Sequence, residues 1–219
     1  MKNLIIPMAG KSSRFPDMRP KWMLTHPNGN FMAIEAILGL NLNIFDNIYF
    51  ITLKEHQEKY NYKKGFEENL LKNNIKASII ELENQTKDQP NTVYEAIIKE
   101  NIKGEIFIKD SDNYFKCTEI KGNSICYFDL NDADIISARN KSYIEVNENT
   151  NTISNIIEKK IISSKFCIGG YQFVDASYYV DIVKKLNSLN KEFYISDVVY
   201  QMLLNNDVFI ANKCTSYND

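Results

Sequence analysis

The chain has 219 residues, of which 44% are hydrophobic and 25% are charged, and these values exclude disordered and collagen-like classes. Its net charge of −2 lacks the basic excess typical of nucleic-acid-binding domains, so we expect no nucleic-acid partner. No apolar run has membrane-spanning length, and the N-terminus becomes polar too early for a secretory signal. We therefore expect a cytoplasmic protein with no membrane association.

Four cysteines are scattered along the sequence: Cys117, Cys126, Cys167 and Cys214. None of them belongs to a CxxC pair or lies near a histidine, so their spacing argues against a zinc site. Scattered cysteines in a chain without a targeting segment are typical of a reducing compartment.

Strand and helix patterns alternate through the first half of the chain. The predicted elements are a strand Leu4–Ile6, a helix Phe31–Leu38, a strand Asn47–Leu53, a helix Glu55–Lys72, a strand Lys76–Leu82, a helix Thr92–Glu100 and a strand Glu105–Lys109. This alternation predicts an α/β fold with a Rossmann-like, mostly parallel central sheet flanked by helices. Ligands of such sheets bind beyond the carboxyl ends of the strands.

The pattern changes after Tyr114. Short strands are predicted at Ser124–Phe128, Asp134–Ala138, Thr152–Ile157 and Phe166–Phe173, followed by helices Ala176–Leu189 and Ser196–Leu204 and a strand Val208–Ile210. No linker rich in Pro, Gly or Ser separates the halves, so we expect one domain over residues 1–219, with halves of about 1–114 and about 115–219. The sequence leaves open whether a further C-terminal segment is absent.

A loop of small residues follows the first strand: Met8, Ala9, Gly10, Lys11, Ser12 and Ser13, then Arg14 and, after Pro20, Lys21. Gly10 allows the backbone to approach a ligand closely, and successive N–H groups in such a loop form an anion-binding concavity. Arg14 can clamp phosphate oxygens and Lys21 can act as a point charge. A solvated loop with incidental cations is the alternative, but the complete string favours a phosphate site.

An acidic turn, Asp110-Ser111-Asp112-Asn113, follows the strand Glu105–Lys109. Magnesium prefers one or two carboxylates together with substrate phosphates, which makes this turn a candidate Mg²⁺ site. A polar turn that merely ends the strand is the alternative. Asp197 is a candidate second carboxylate, although Ser196 or Asp197 could instead cap the following helix.

The loop with its Arg and Pro-Lys pair resembles the N-terminal fingerprint of the sugar-phosphate nucleotidyltransferases, whose fold is the nucleotide-diphospho-sugar transferase type. The resemblance implies nucleotide binding by the first half and acceptor binding by the second. It implies that Arg14 and Lys21 bind the triphosphate, with Ser111 nearby, and that Asp112 holds the metal better than Asp110. Two departures affect the acceptor more than the activity: Lys11-Ser12-Ser13 replaces a second Gly, and Trp22-Met23-Leu24 follows Lys21.

The same resemblance assigns the remaining site residues. Gln85 with Asn91 and Thr92 would read the base, since a Gln amide can pair with a pyrimidine edge. Lys159 of the pair Glu158-Lys159 would hold the acceptor phosphate, although Lys160 leaves that choice open. Gly169 and Gly170 would line the acceptor pocket. Surface-loop and solvated-lysine interpretations remain alternatives for Gln85 and Lys159.

The run from Pro7 to Leu24, together with residues 166–171, resembles a capsule-pathway branch of this family. That branch implies CTP as donor and a phosphorylated amino-acid amide as acceptor, on a route to capsular phosphoramidate. A hexose-1-phosphate nucleotidyltransferase is the first alternative. A glycosyltransferase that uses Asp110-Ser111-Asp112 as a DxD metal motif is the second, and a nucleotide-sensing domain is a weaker third. A homodimer is compatible with the sequence.

Overall fold

The computed structural model describes residues 1–10, 18–117, 120–133 and 137–218. The strands in these residues are β1 (Lys2–Pro7), β2 (Asn47–Leu53), β3 (Ser78–Leu82), β4 (Glu105–Lys109), β5 (Tyr114–Lys116), β6 (Ser124–Asp129), β7 (Ser142–Asn147), β8 (Thr152–Glu158), β9 (Lys165–Phe173), β10 (Ile210–Lys213) and β11 (Thr215–Asn218). The helices are α1 (Met32–Glu35), α2 (Lys54–Tyr60), α3 (Lys63–Lys72), α4 (Gln89–Glu100), α5 (Ala176–Asn187) and α6 (Ile195–Leu204).

Nine strands form one sheet in the order β3-β2-β1-β4-β9-β6-β10-β8-β7, and β5 pairs separately with β11. The strands β3, β2, β1 and β4 are parallel, which confirms the α/β fold that the alternating pattern predicts. Beyond β4 the sheet is mixed, because β9 is antiparallel to both β4 and β6. Because β1 and β4 are parallel neighbours, their carboxyl ends lie side by side.

Side-chain alternation along β1 explains why this sheet is covered on both faces. Ile5 belongs to one buried cluster, whereas its neighbours Leu4 and Ile6 belong to another. The Ile5 cluster includes residues of α4, α5 and α6, and the Leu4 cluster includes residues of α1 and α3. A period of two places successive side chains on opposite faces, so a continuous apolar run forms a strand buried on both sides.

Several predicted elements differ from the structure. The predicted helix Glu55–Lys72 is two helices, because Asn61 adopts a left-handed conformation (φ 45°) that ends α2. Asn tolerates this conformation better than most residues. The predicted helix Phe31–Leu38 is shorter, as α1.

Differences in the second half concern strand positions. The predicted strand Asp134–Ala138 lies mostly outside the described residues, and Ala138 begins a 3-10 turn. The strand β7 follows that turn and pairs with β8. The last predicted strand is displaced, because β10 begins at Ile210. Among the described residues, none of the helices combines the length and apolar character needed to cross a bilayer.

Candidate active site

Two cavities meet at the carboxyl ends of β1 and β4. The first, which we name the β1 cavity, has a volume of about 500 Å³ and is lined by Ala9, Gly10, residues 85–89, Thr92 and the acidic turn. The second, which we name the β9 cavity, has a volume of about 480 Å³ and is lined by the acidic turn, Lys21, the end of β8, the first half of β9 and the start of α6. Both cavities are lined by Gln89, Asp110 and Asp112. The acidic turn therefore stands between two adjoining spaces.

Lys109 stabilises the acidic turn by hydrogen bonds from its side chain. Its side chain is fully buried, and Nζ donates hydrogen bonds to the carbonyl oxygens of Asp110 (2.8 Å) and Asn113 (2.8 Å) and to Asn113 Oδ1 (2.7 Å). The ammonium also lies 4.6 Å from the centre of the Phe115 ring. Burial lowers the pKa of Lys109 to about 8, against the opposing effect of the Asp110 and Asp112 carboxylates.

Asp110 is braced on two sides. Gln89 Nε2 donates to Asp110 Oδ1 at 2.6 Å, and the Asp110 N–H donates to the Gly169 carbonyl at 2.8 Å. Burial, reinforced by the charge of Asp112, raises the pKa of this carboxyl above its ordinary value. These contacts indicate that Asp110 shapes the turn and connects it to α4 and β9.

Asp112 is the more accessible carboxylate of the pair. Its Oδ2 lies 3.3 Å from Lys21 Nζ, and the two side chains are 40% and 53% exposed. Lys21 begins a 3-10 turn whose next two residues, Trp22 and Met23, are buried and anchor it. The structure therefore brings together two predicted site residues that are distant in the sequence.

The two glycines at the middle of β9 have different surroundings. Gly169 has φ +76°, and a Cβ built there would lie 2.1 Å from Asp110 Oδ2, so a side chain at this position is incompatible with the observed turn. Gly169 lines the β9 cavity. A Cβ at Gly170 would instead meet the Phe115 ring at 2.7 Å and Cys126 Cβ at 2.9 Å. Gly170 therefore serves packing between strands and does not line either cavity.

Glu158 and Lys159 lie at the end of β8 and line the β9 cavity. The Oε2 atom of Glu158 accepts hydrogen bonds from the hydroxyls of Ser142 and Ser196, the latter at 2.7 Å. Lys159 has a left-handed backbone (φ 55°), and its Nζ donates to Tyr194 Oη at 2.5 Å and lies 4.2 Å from the centre of that ring. The hydrogen bond to Tyr194 raises the pKa of Lys159. Lys160 is exposed and does not line the cavity.

Asp197 occupies the third position of α6, where it caps the helix. Its Oδ2 accepts from the Tyr194 N–H at 2.7 Å, which is the contact that the third helical residue makes to the N-cap backbone in a capping box. Asp197 does not line either cavity, although its neighbours Tyr194 and Ser196 line the β9 cavity. The structure thus gives Asp197 the helix-capping contact that the sequence left as an alternative.

The remaining predicted residues are those that we expected to bind the nucleotide. Ala9, Gly10, Gln85, Thr92 and Ser111 line the β1 cavity, whereas Met8 is buried in the same cluster as Leu4. Asn91 points elsewhere, since its amide bonds Asp88 Oδ1 (2.6 Å) and Asn187 Oδ1 (3.1 Å). The predicted residues Lys11, Ser12, Ser13 and Arg14 lie outside the described residues.

The residues of these cavities that were not predicted include Gln89, Ser142, Tyr194 and, as a site residue, Ser196. Gln89 had a partial signal, because Asp88 is a good N-cap and therefore marks Gln89 as the first residue of α4. Ser142 lies on β7, a strand that the pattern did not predict, so sequence gave no reason to select it.

The arrangement of β1–β4 beside antiparallel β9 is the fold of the nucleotide-diphospho-sugar transferases, as comparison with solved structures shows. A nucleoside-diphosphate-sugar pyrophosphorylase from Vibrio cholerae RC9 superposes with a TM-score of 0.78 at 20% identity, over 96% of this chain and 91% of that one. An inositol-1-phosphate CTP transferase from T. maritima superposes with a TM-score of 0.74 at 15% identity, over 97% of this chain and 85% of that one.

A UDP-glucose pyrophosphorylase complexed with UDP-glucose gives a TM-score of 0.71 at 13% identity, over 100% of this chain and 92% of that one. No family model matches the chain, and no curated protein sequence matches it. At these identities the likenesses establish the fold, and activity has to be argued from the site.

Proposed function

We propose that this protein is a Mg²⁺-dependent nucleotidyltransferase that moves CMP from CTP to a phosphorylated small molecule. One observation carries the proposal: two cavities of similar volume share the acidic turn, and a lysine, Lys21, contacts Asp112 at their junction. A donor in the β1 cavity and an acceptor in the β9 cavity would meet at this turn. The solved structures of the same fold include a CTP transferase and two sugar-nucleotide pyrophosphorylases by name.

The residues present fit a magnesium ion. Asp112 presents a partly exposed carboxylate beside both cavities, and Mg²⁺ usually binds one or two carboxylates and completes its coordination with phosphates and water. We assign Asp112 as the principal ligand. Asp197 stays a prediction, because coordination would require its carboxylate to release the Tyr194 N–H. When bound, Mg²⁺ would offset the charge of the reacting phosphates.

The proposed reaction is an in-line displacement at the α-phosphorus of CTP. An oxygen of the acceptor phosphate forms the new bond, the bond between the α-phosphorus and the bridging oxygen breaks, and pyrophosphate leaves. The attacking oxygen is already anionic, so no general base is required. Catalysis then depends on positioning and on charge stabilisation by Lys21, with Arg14 predicted to bind the leaving phosphates. Gln85 and Thr92 line the β1 cavity, where we expect the base.

The β9 cavity has charges of both signs. Lys159 is our candidate for binding the acceptor phosphate. A phosphate bound there would compete with Tyr194 Oη for the Lys159 ammonium. Glu158 Oε2 accepts from two serine hydroxyls, and Oε1 has no hydrogen-bond partner among the described residues. A carboxylate oriented in this way suits an ammonium group, since a buried cation needs a partner. We therefore propose an amino-acid acceptor, glutamine phosphorylated on its side-chain amide, with CDP-glutamine as the product.

A pyrophosphate-release assay tests both the proposed nucleotidyl transfer and the proposed acceptor. The four NTPs are each combined with Mg²⁺ and with glutamine phosphate, glucose 1-phosphate or no acceptor. Release with CTP and glutamine phosphate is the expected result. Release with a hexose phosphate but not with glutamine phosphate would support the first alternative, a hexose-1-phosphate nucleotidyltransferase. No release with any pair would refute the nucleotidyltransferase assignment.

A further inference from the structure

Three of the four cysteines meet inside the protein, although they are far apart in the sequence. Cys117 follows β5, Cys126 lies on β6, and Cys214 joins β10 to β11. Their Sγ atoms all lie within 4.8 Å of one another, and those of Cys117 and Cys126 are 3.8 Å apart. All three side chains are buried, with exposed fractions of 7%, 1% and 1%.

The spacing of these sulfurs suits coordination of one ion. Thiolate sulfur binds Zn²⁺ at about 2.3 Å, so three sulfurs around one ion lie about 4 Å apart from one another. The 3.8 Å separation of Cys117 and Cys126 matches that value, and the Cys214 sulfur lies within 4.8 Å of both. Soft thiolate ligands select thiophilic ions such as Zn²⁺ and Cu⁺ over Mg²⁺.

A buried positive charge beside the cluster provides an independent observation. Lys109 and Cys126 are the neighbours of Gly170 in the two adjoining strands, β4 and β6. Negative charge on the sulfurs of Cys126 and Cys214 would raise the pKa of Lys109, so the ammonium lies close enough to respond to this cluster. Among the described residues it has no carboxylate at salt-bridge distance, and its hydrogen-bond partners are neutral oxygens. A metal with three thiolates carries a net negative charge, which this cation would balance.

Without a metal the cluster consists of neutral thiols. Hydrogen bonding with Cys117 and burial raise the pKa of Cys126 well above its ordinary value, and the pKa of Cys214 is raised as well. Metal binding would therefore convert three S–H groups to metal–sulfur bonds and release three protons to solvent. Affinity would rise with pH for that reason.

We propose that Cys117, Cys126 and Cys214 form a binding site for a thiophilic d¹⁰ metal ion, Zn²⁺ or Cu⁺. The ion would join β5, β6 and the segment that precedes β11, next to the lysine that holds the acidic turn. The site is separate from the Mg²⁺ site at Asp112, because it has sulfur ligands and lies in the core.

Metal titration of the purified, reduced full-length protein tests this site. Zn²⁺ is titrated against a chromophoric competing chelator, and in a second arm Cu⁺ is titrated anaerobically against a Cu⁺ chelator. The variants are Cys126→Ala and Cys214→Ala. The matched control is Cys167→Ala, because Cys167 is equally buried but is not a member of the cluster.

We expect wild type and Cys167→Ala to bind one equivalent of Zn²⁺ or Cu⁺, and the two cluster variants to lose affinity by more than about tenfold. The arm with the tighter binding identifies the ion. Wild-type protein that binds neither ion, or equal binding by all four proteins, would overturn the proposal. X-ray absorption of the metal-loaded wild type is a second measurement that needs no variant: three sulfurs at about 2.3 Å support the site, and oxygen and nitrogen ligands alone refute it. Both readouts are independent of nucleotidyl transfer.

Discussion

Lys109 Nζ donates two hydrogen bonds to Asn113, one to its carbonyl oxygen at 2.8 Å and one to its side-chain oxygen at 2.7 Å. A third hydrogen bond, to the Asp110 carbonyl oxygen, connects the same ammonium to the first residue of the turn. The residue that ends β4 therefore fixes the shape of the loop that follows it. Because the ammonium is fully buried, it has exchanged water for these three oxygens.

This burial predicts a pH dependence of stability. The pKa of Lys109 is lowered by burial to about 8 in the folded protein, against 10.5 as its ordinary value. Between these values the unfolded chain binds more protons, so the contribution of Lys109 to stability should increase as pH rises through this range and be lost as pH falls through about 8. Denaturant unfolding at several pH values, with chelator present, measures the difference between wild type and Lys109→Met. Lys54→Met, on an exposed lysine, is the control, and an identical pH profile in wild type and Lys109→Met would contradict the prediction.

Replacement of Lys21 by Ala should lower kcat while leaving the fold intact. Loss of one electrostatic stabiliser typically costs ~10²–10³-fold in rate, whereas an exposed ion pair contributes about 0–1 kcal/mol to stability. Lys54→Ala is a matched control, because Lys54 is also 53% exposed and lies 3.2 Å from the carboxylate of Glu83. Steady-state kinetics and thermal unfolding are measured for both variants. Turnover of Lys21→Ala within a few-fold of wild type would remove Lys21 from the catalytic role.

The two carboxylates of the acidic turn should respond differently to amidation. Asp112→Asn should abolish Mg²⁺-dependent activity, because it removes the charge of the accessible carboxylate. Asp110→Asn should have a smaller effect, because the Asn oxygen can still accept from Gln89 Nε2. The measurement is initial rate as a function of Mg²⁺ concentration. Equal loss in both variants would favour a DxD metal site, as in the glycosyltransferase alternative.

The α/β class and the positions of the two loops at strand ends could be predicted, because buried parallel strands and turn residues leave clear local patterns. The contact between Lys21 and Asp112 could not, since it joins residues 91 positions apart. The same limit applies to the cysteine cluster: spacing along the chain argued against a metal site, but the sheet order brings β5, β6 and the end of β10 together.

Two further limits of the sequence have a more local cause. The break between α2 and α3 depends on the left-handed conformation of Asn61, and Asn is compatible with a helix interior as well as with a C-cap. For Asp197, the sequence could not decide between metal binding and capping, because a carboxylate early in a helix suits both roles. The hydrogen bond to the Tyr194 N–H identifies the cap.

Gly169→Ala should disturb the acidic turn more than an alanine substitution that introduces only the strain of a positive φ angle. The added methyl group would overlap the Asp110 carboxylate, so the turn or β9 must move. Gly122→Ala is the control, because Gly122 also has a positive φ (+59°) but a Cβ there meets nothing within 4 Å. We expect a stability loss of about 1 kcal/mol for the control and a larger loss, with reduced Mg²⁺ affinity, for Gly169→Ala. Equal unfolding free energies for the two variants would show that the clash is relieved at no cost.

The last prediction concerns recognition of the acceptor by Glu158. Glu158→Gln removes the negative charge but keeps an oxygen that can accept from Ser142 and Ser196, so the cavity should retain its shape. If this carboxylate pairs with the ammonium of an amino-acid acceptor, KM for glutamine phosphate should rise by about tenfold or more while KM for CTP changes little.

The matched control is Glu145→Gln, because Glu145 on β7 also accepts a hydrogen bond from a neutral donor, Asn155, but lies outside both cavities. The decisive comparison adds a glutamine phosphate analogue that lacks the α-amino group. Wild type should discriminate against the analogue, and Glu158→Gln should not, because the variant has already lost the pairing charge. Equal discrimination by both proteins would place the ammonium elsewhere, and use of glucose 1-phosphate in preference to either amino-acid acceptor would exclude the amino-acid assignment while leaving nucleotidyl transfer intact.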